Sequence, residues 1–134
     1  MKKAVTIILL LIACYSINAQ IDNRITTIDF VQILNENKEE AIFYYENNWK
    51  VLRDLALQKG YIDSYQLLET PASEDAPFQL MLITTYPNEA QYDLKEQNFT
   101  ELMNEKGDLR LLNSKKPAEF RKIIYGKEAV RHIF

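Results

Sequence analysis

The chain of 134 residues has one cysteine, Cys14, and one histidine, His132. A lone thiol inside the hydrophobic N-terminal segment leaves the folded part without a disulfide, so the domain must rest on its own core or on a partner subunit. A lone histidine excludes a His-rich metal centre within one subunit. The sequence also lacks an EF-hand loop, HExxH, G-x-G-x-x-G, a P-loop and a G-x-S-x-G elbow, which removes any visible basis for nucleophilic triads and phosphate cradles. No cofactor is implied by motif. After the first hydrophobic run no second one follows, so no membrane span is expected in the body of the chain.

That first run has a different meaning. Lys2 and Lys3 precede AVTIILLLIA, and a more polar stretch ends Ile17-Asn18-Ala19-Gln20. Charged, hydrophobic and cleavage regions in that order make a secretory signal peptide, and the run is shorter than the roughly 20 residues of a span. The expected organisation is a signal peptide over 1–19 and a single domain over 20–134. Cleavage after Ala19 releases the domain, starting at Gln20, into the periplasm or the medium. The alternative reading is Leu11-Ile12-Ala13-Cys14, which resembles a bacterial lipobox and implies a lipid anchor on Cys14 at a membrane surface. The NAQ ending after an MKK start resembles the export signals of Bacteroidetes-type Gram-negative bacteria. Loss of Lys2 and Lys3 leaves 14 basic and 19 acidic residues, a formal charge of −5. That balance argues against unassisted binding to nucleic acid or anionic lipid headgroups.

The strongest pattern lies between Asn37 and Gly60. Ile42, Tyr45, Trp49, Leu52 and Ala56 recur at spacings of three and four, which predicts a helix of about six turns with one wide apolar stripe. Asn37 and Glu40 have capping-box spacing, and Gly60 provides the stop. Residues 24–34, rich in β-branched side chains, predict a central strand with Thr27, Asp29, Val31 and Ile33 on one face and Ile28 and Phe30 on the other. Residues 62–69 and 78–86, joined by the proline-bearing loop TPASEDAP, predict a hairpin. Asn88 and Gln91 repeat the capping spacing before a second helix over Glu89–Lys106. Pro117 opens a brief helix carrying Phe120, Ile123 and Ile124 and closed by Gly126, and AVRHIF predicts a terminal edge strand. The order β, long α, β, β, α, short α, β is α+β, the split βαβ pattern of ferredoxin-like folds, with an antiparallel sheet and helices on one face. Large apolar residues on the other face predict an interface or a ligand cavity.

WKVLRDLALQKGYIDSYQLLE, followed after the loop by FQLMLITTY, resembles the dimeric α/β barrel superfamily, in which two ferredoxin-like subunits set their sheets face to face. The likeness covers roughly residues 24–134 and is one of pattern and topology, and the segment Leu109–Tyr125 departs from the shortest members. The resemblance implies a homodimer with a cavity. Its members include small monooxygenases, haem-degrading enzymes, chlorite-dismutase-like and muconolactone-isomerase-like proteins.

Several side chains are candidates for lining a pocket. Asp29 is a carboxylate on a central strand, and Thr27, Gln66, Gln79 and Thr85 are strand polars that need partners if covered. Tyr44 and Tyr45 diverge by about 100° around the helix, so one enters the core while the other is free to line a pocket. With Trp49, Tyr65 and Tyr86 they suit an aromatic cavity. His132, as a base or haem ligand, would act alone. The acid pairs Glu39–Glu40 and Glu74–Asp75 read as solvated surface. The first expectation is an exported homodimeric barrel domain, without assigned catalysis, binding a small, largely apolar molecule between its sheets or serving a structural role. The alternatives are a monooxygenase-like or haem-handling enzyme, using Asp29, Tyr45, Trp49 and His132, and an envelope-associated protein–protein interaction module.

Overall fold

A computed structural model describes residues 22–134. The expected signal peptide, the cut after Ala19 and the lipobox Cys14 lie outside these residues. The strands are β1 (Ile25–Ile33), β2 (Ser64–Glu69), β3 (Leu80–Tyr86) and β4 (Arg121–Arg131). They form one sheet in the order β2-β3-β1-β4, with every neighbouring pair antiparallel. The chain is thus α+β, with helices packed on a four-stranded antiparallel sheet, and its topology is compatible with a ferredoxin-like fold. β1 is central, between β3 and β4, as its two apolar faces require.

The long amphipathic segment is a continuous rod: α1 (Lys38–Tyr44), a π-helical turn (Tyr45–Trp49) and α2 (Lys50–Gln58). Its stripe enters the core, where Tyr45 and Trp49 pack with Val31, Leu80 and Leu82. A second cluster joins Ala56, Ile62, Tyr86 and Leu102. The rod stops in a Schellman motif: Gly60 N–H donates to Leu57 O and Tyr61 N–H to Ala56 O, with Gly60 at φ 71°.

Several expectations are corrected. The capping box at Asn37 does not form. The segment before β4 packs here and takes both side chains: Lys115 Nζ donates to Asn37 Oδ1 and Glu40 Oε1 at 2.5 and 2.6 Å, and Asn37 Nδ2 donates to Glu119 O. The second helix is divided at Leu94 into α3 (Glu89–Asp93) and α4 (Lys95–Lys106). Asn88 caps it as expected by accepting from Gln91 N–H, but the Gln91 side chain accepts from Asn98 instead of returning to the cap. The brief helix α5 (Pro117–Phe120) ends before Ile123 and Ile124, which belong to β4 with Gly126 in mid-strand. Phe120 is buried and its carbonyl accepts from Leu34 N–H, so pairing with β1 starts at once. Two register shifts along β1–β4 break the alternation that would have marked this strand in the sequence. β4 ends at Arg131, so His132, Ile133 and Phe134 lie beyond it.

Asn48, inside the π turn, is 2% exposed and uses its whole amide. Its Nδ2 donates to Tyr44 O and Arg110 O at 2.9 and 2.7 Å, while its Oδ1 accepts from Lys106 Nζ and Arg110 N–H, both at 2.8 Å. Asn47 likewise donates to Phe43 O. These bonds satisfy carbonyls where the helical ladder changes step. They also tie the end of α4 and the connection after it to the rod. Asn48→Leu strands both backbone groups of Arg110, and chemical denaturation should show a loss of about 3 kcal/mol. A loss below about 0.5 kcal/mol would contradict the role given to this side chain.

Candidate functional site

α4 packs chiefly along α2, not across β4. The helix-facing side of β1 and β4 is therefore incompletely covered, and a cavity of about 450 Å³ opens between rod and sheet. Asp29, Leu82, Arg121 and Ile123 form its sheet side, Tyr45, Trp49, Leu52 and Arg53 its rod side, and Met103, Lys106 and Leu109 its mouth. The volume lies within the range of small-molecule sites, and the lining is mostly apolar with a few convergent polar groups. A chamber of about 210 Å³ adjoins it, sharing Asp29, Leu52, Arg53 and Met103 and adding Thr27, Tyr86 and Glu128 among others.

The π turn places Tyr45 and Trp49 over the sheet, and α2 carries Arg53 one turn further on. The Arg53 guanidinium is sandwiched between Trp49 and Phe99, 4.5 and 4.4 Å from the ring centroids. Its Nε makes one long bond, 3.4 Å to Thr84 Oγ1. Burial pulls its pKa down to about 10, so it stays charged at neutral pH. Arg121, at the start of β4, stacks on Tyr44 at 4.9 Å and donates to the Tyr44 hydroxyl at 3.2 Å. The buried Arg121 Nε has no partner, and neither has the Tyr45 hydroxyl. Tyr45 is 2% exposed, and burial pushes its pKa far up, so the phenol keeps its proton.

Asp29 lies on β1 opposite Gly126 of β4. A Cβ at Gly126 would stand 2.8 Å from Asp29 Oδ1, so the glycine makes room for the carboxylate. Burial raises the Asp29 pKa, with Glu128 adding to it, while Arg53 and Arg121 pull it down through space. Burial outweighs the two cations.

Of the residues named from the sequence, Asp29, Tyr45 and Trp49 line the main cavity together, and Tyr86 meets Asp29 in the adjoining chamber. Burial pushes the Tyr86 hydroxyl up to about 12. Tyr65 packs edge-on against Trp49, but its hydroxyl donates to Asp54 at 2.5 Å. His132 is elsewhere. Its Nε2 lies 2.8 Å from Thr26 Oγ1, which bonds Thr85 Oγ1 at 2.9 Å, in a cleft of about 510 Å³ at one end of the opposite sheet face. His132 Nδ1 is 3.6 Å from Asp22 Oδ2, and Arg24 bonds hold that carboxylate down at about 2. The chain matches no family model, no curated protein and no solved structure. Among the described residues no group of three or more His, Cys, Asp or Glu could hold a metal ion, and no helix is long and apolar enough to cross a membrane.

Arg53, Arg121 and Asn48 have no role in the reading of the sequence, and Gly126 enters it only as a helix stop. Arg53 carried the clearest signal, a cation four residues after Trp49 at the edge of the apolar stripe.

The raised pKa of Asp29 means that the unfolded chain releases this proton first. Stability should fall as pH rises from the usual carboxylate range through the folded pKa, and the full cost remains above it. Asp29→Asn should flatten that part of the pH–stability curve and raise the Tm at pH 7, whereas an unchanged curve would show the carboxylate to be comfortably solvated. Gly126→Ala should cost about 1–3 kcal/mol through overpacking against Asp29 in the same thermal scans, and less in the Asp29→Ser background.

Proposed function

We propose that this chain is an exported binding domain for a small, largely apolar molecule, held between the helix rod and the sheet of each subunit. The observation that carries this reading is the cavity itself, where a protein of this size leaves apolar walls unfilled beside a buried hydroxyl without a partner. An unpaired buried hydroxyl costs about 1–3 kcal/mol, a cost a ligand would remove. The π turn in its wall supports the same reading, since such turns recur at functional sites. The enzyme alternative draws less support. His132, which a haem-handling centre would use, is on the other face of the sheet.

Pairing of two copies through that other face, as in a dimeric α/β barrel, belongs to the same proposal. Phe30 packs with Phe78 and Tyr125 at 4.8 and 4.7 Å between ring centroids, with Ile28, Met81 and Ile83 nearby on the same side. Leu68 and Tyr125 remain 39% and 44% exposed there, and Ile133 and Phe134 stand almost free beside it. A contiguous apolar face of this kind is characteristic of an interface. In this arrangement the binding chamber lies inside each subunit, not between the two sheets.

A native mass spectrum of the protein purified from its own envelope fraction tests all three parts. A dimer whose subunits start at Gln20 and carry a reproducible extra mass is expected. A bare protein would contradict the binding reading, a wild-type monomer the barrel, and an uncleaved N-terminus the export. By sedimentation, Phe30→Asp should convert the dimer to monomer without loss of secondary structure, and a persisting dimer would move the interface elsewhere.

A further inference from the structure

We propose that the molecule held in the cavity is an organic acid, an apolar body ending in a carboxylate, whose charge meets Arg53 and Arg121 and whose oxygen accepts from the Tyr45 hydroxyl. This inference rests on the binding reading above and names the ligand's class. The polar groups at the sheet end are donors left short of acceptors. Tyr45 is 2% exposed with an unpaired hydroxyl, and the buried Arg121 Nε is unpaired too. Arg53 has only a 3.4 Å bond to a threonine and two aromatic faces. A carboxylate supplies the missing acceptors and suits planar guanidinium donors.

The charge of the lining calls for an anion. Arg53, Arg121 and Lys106 outnumber the one carboxylate of the lining, Asp29, so the walls carry an excess of positive charge for an anionic head group to balance. Lys106 at the mouth already donates to Asn48 Oδ1 and Asp108 O. Leu52, Leu82, Leu109 and Ile123 offer the rest of the ligand only apolar contact.

Trp49 is the only tryptophan and lines the cavity, so its emission reports occupancy. Octanoate and 1-octanol, equal in length and different in head group, are titrated at pH 7 into the purified protein. Octanoate is expected to bind at least tenfold tighter. Tyr45→Phe should weaken octanoate several-fold and Arg121→Gln at least tenfold, with octanol unchanged in both. Tyr45→Phe keeps the ring that packs the core, so the test survives if Arg121→Gln fails to fold. Equal binding of the two probes would overturn the acid head group and leave the cavity reading standing. No change in Trp49 emission with either probe would overturn both.

Discussion

The amide of Asn48 is the contact on which the architecture of the site depends. Its four hydrogen bonds hold the rod, the end of α4 and the connection after α4 in one place. A buried amide with all its bonds made is rigid, because each alternative position leaves several polar groups without partners. The same side chain satisfies Tyr44 O at the entry to the π turn, and the turn sets Tyr45 and Trp49 over the sheet. The roof and the mouth of the cavity therefore share one anchor. α4, held along α2, leaves the helix-facing side of β1 and β4 open.

Inside that opening the energetics run against stability. A guanidinium between two rings, a half-buried carboxylate held above its usual range and a phenol with no acceptor are each costly in an empty fold. A well-packed apolar core of the same volume would be more stable. Local costs gathered at one cavity, with the rest of the core conventionally packed, are the pattern of a site that gives up stability for binding. The opposite face is different in kind. Its aromatic cluster is apolar, and its polar end at Thr26, Thr85 and His132 is already paired.

Much of this was legible in the sequence. The stripe Ile42, Tyr45, Trp49, Leu52, Ala56, the Gly60 stop, the central strand around Asp29 and the hairpin after it follow from periodicity and turn chemistry, which are local. What was not legible depends on distant partners. Asn37 and Glu40 are drawn from their box by Lys115, some 75 positions away in the chain. The first part of the last strand was hidden because its bulges break the two-residue period, so Ile123 and Ile124 read as helix and only Ala129, Val130 and Arg131 of the expected edge strand lie in it. Gly126 read as a stop, although its role is to leave space for Asp29 across the strand pair. Arg53 and Arg121 become site residues only when rod and sheet edge are brought together.

The central claim is that the space between rod and sheet belongs to a ligand. A crystal structure of the protein purified from its own source, with nothing added, tests this most directly. The account predicts an ordered non-protein molecule between Trp49, Tyr45 and Asp29, with the rod where it is described here. A chamber closed by inward movement of Trp49, Met103 and Leu109, with the Tyr45 hydroxyl bonded to a neighbouring protein group, would contradict it.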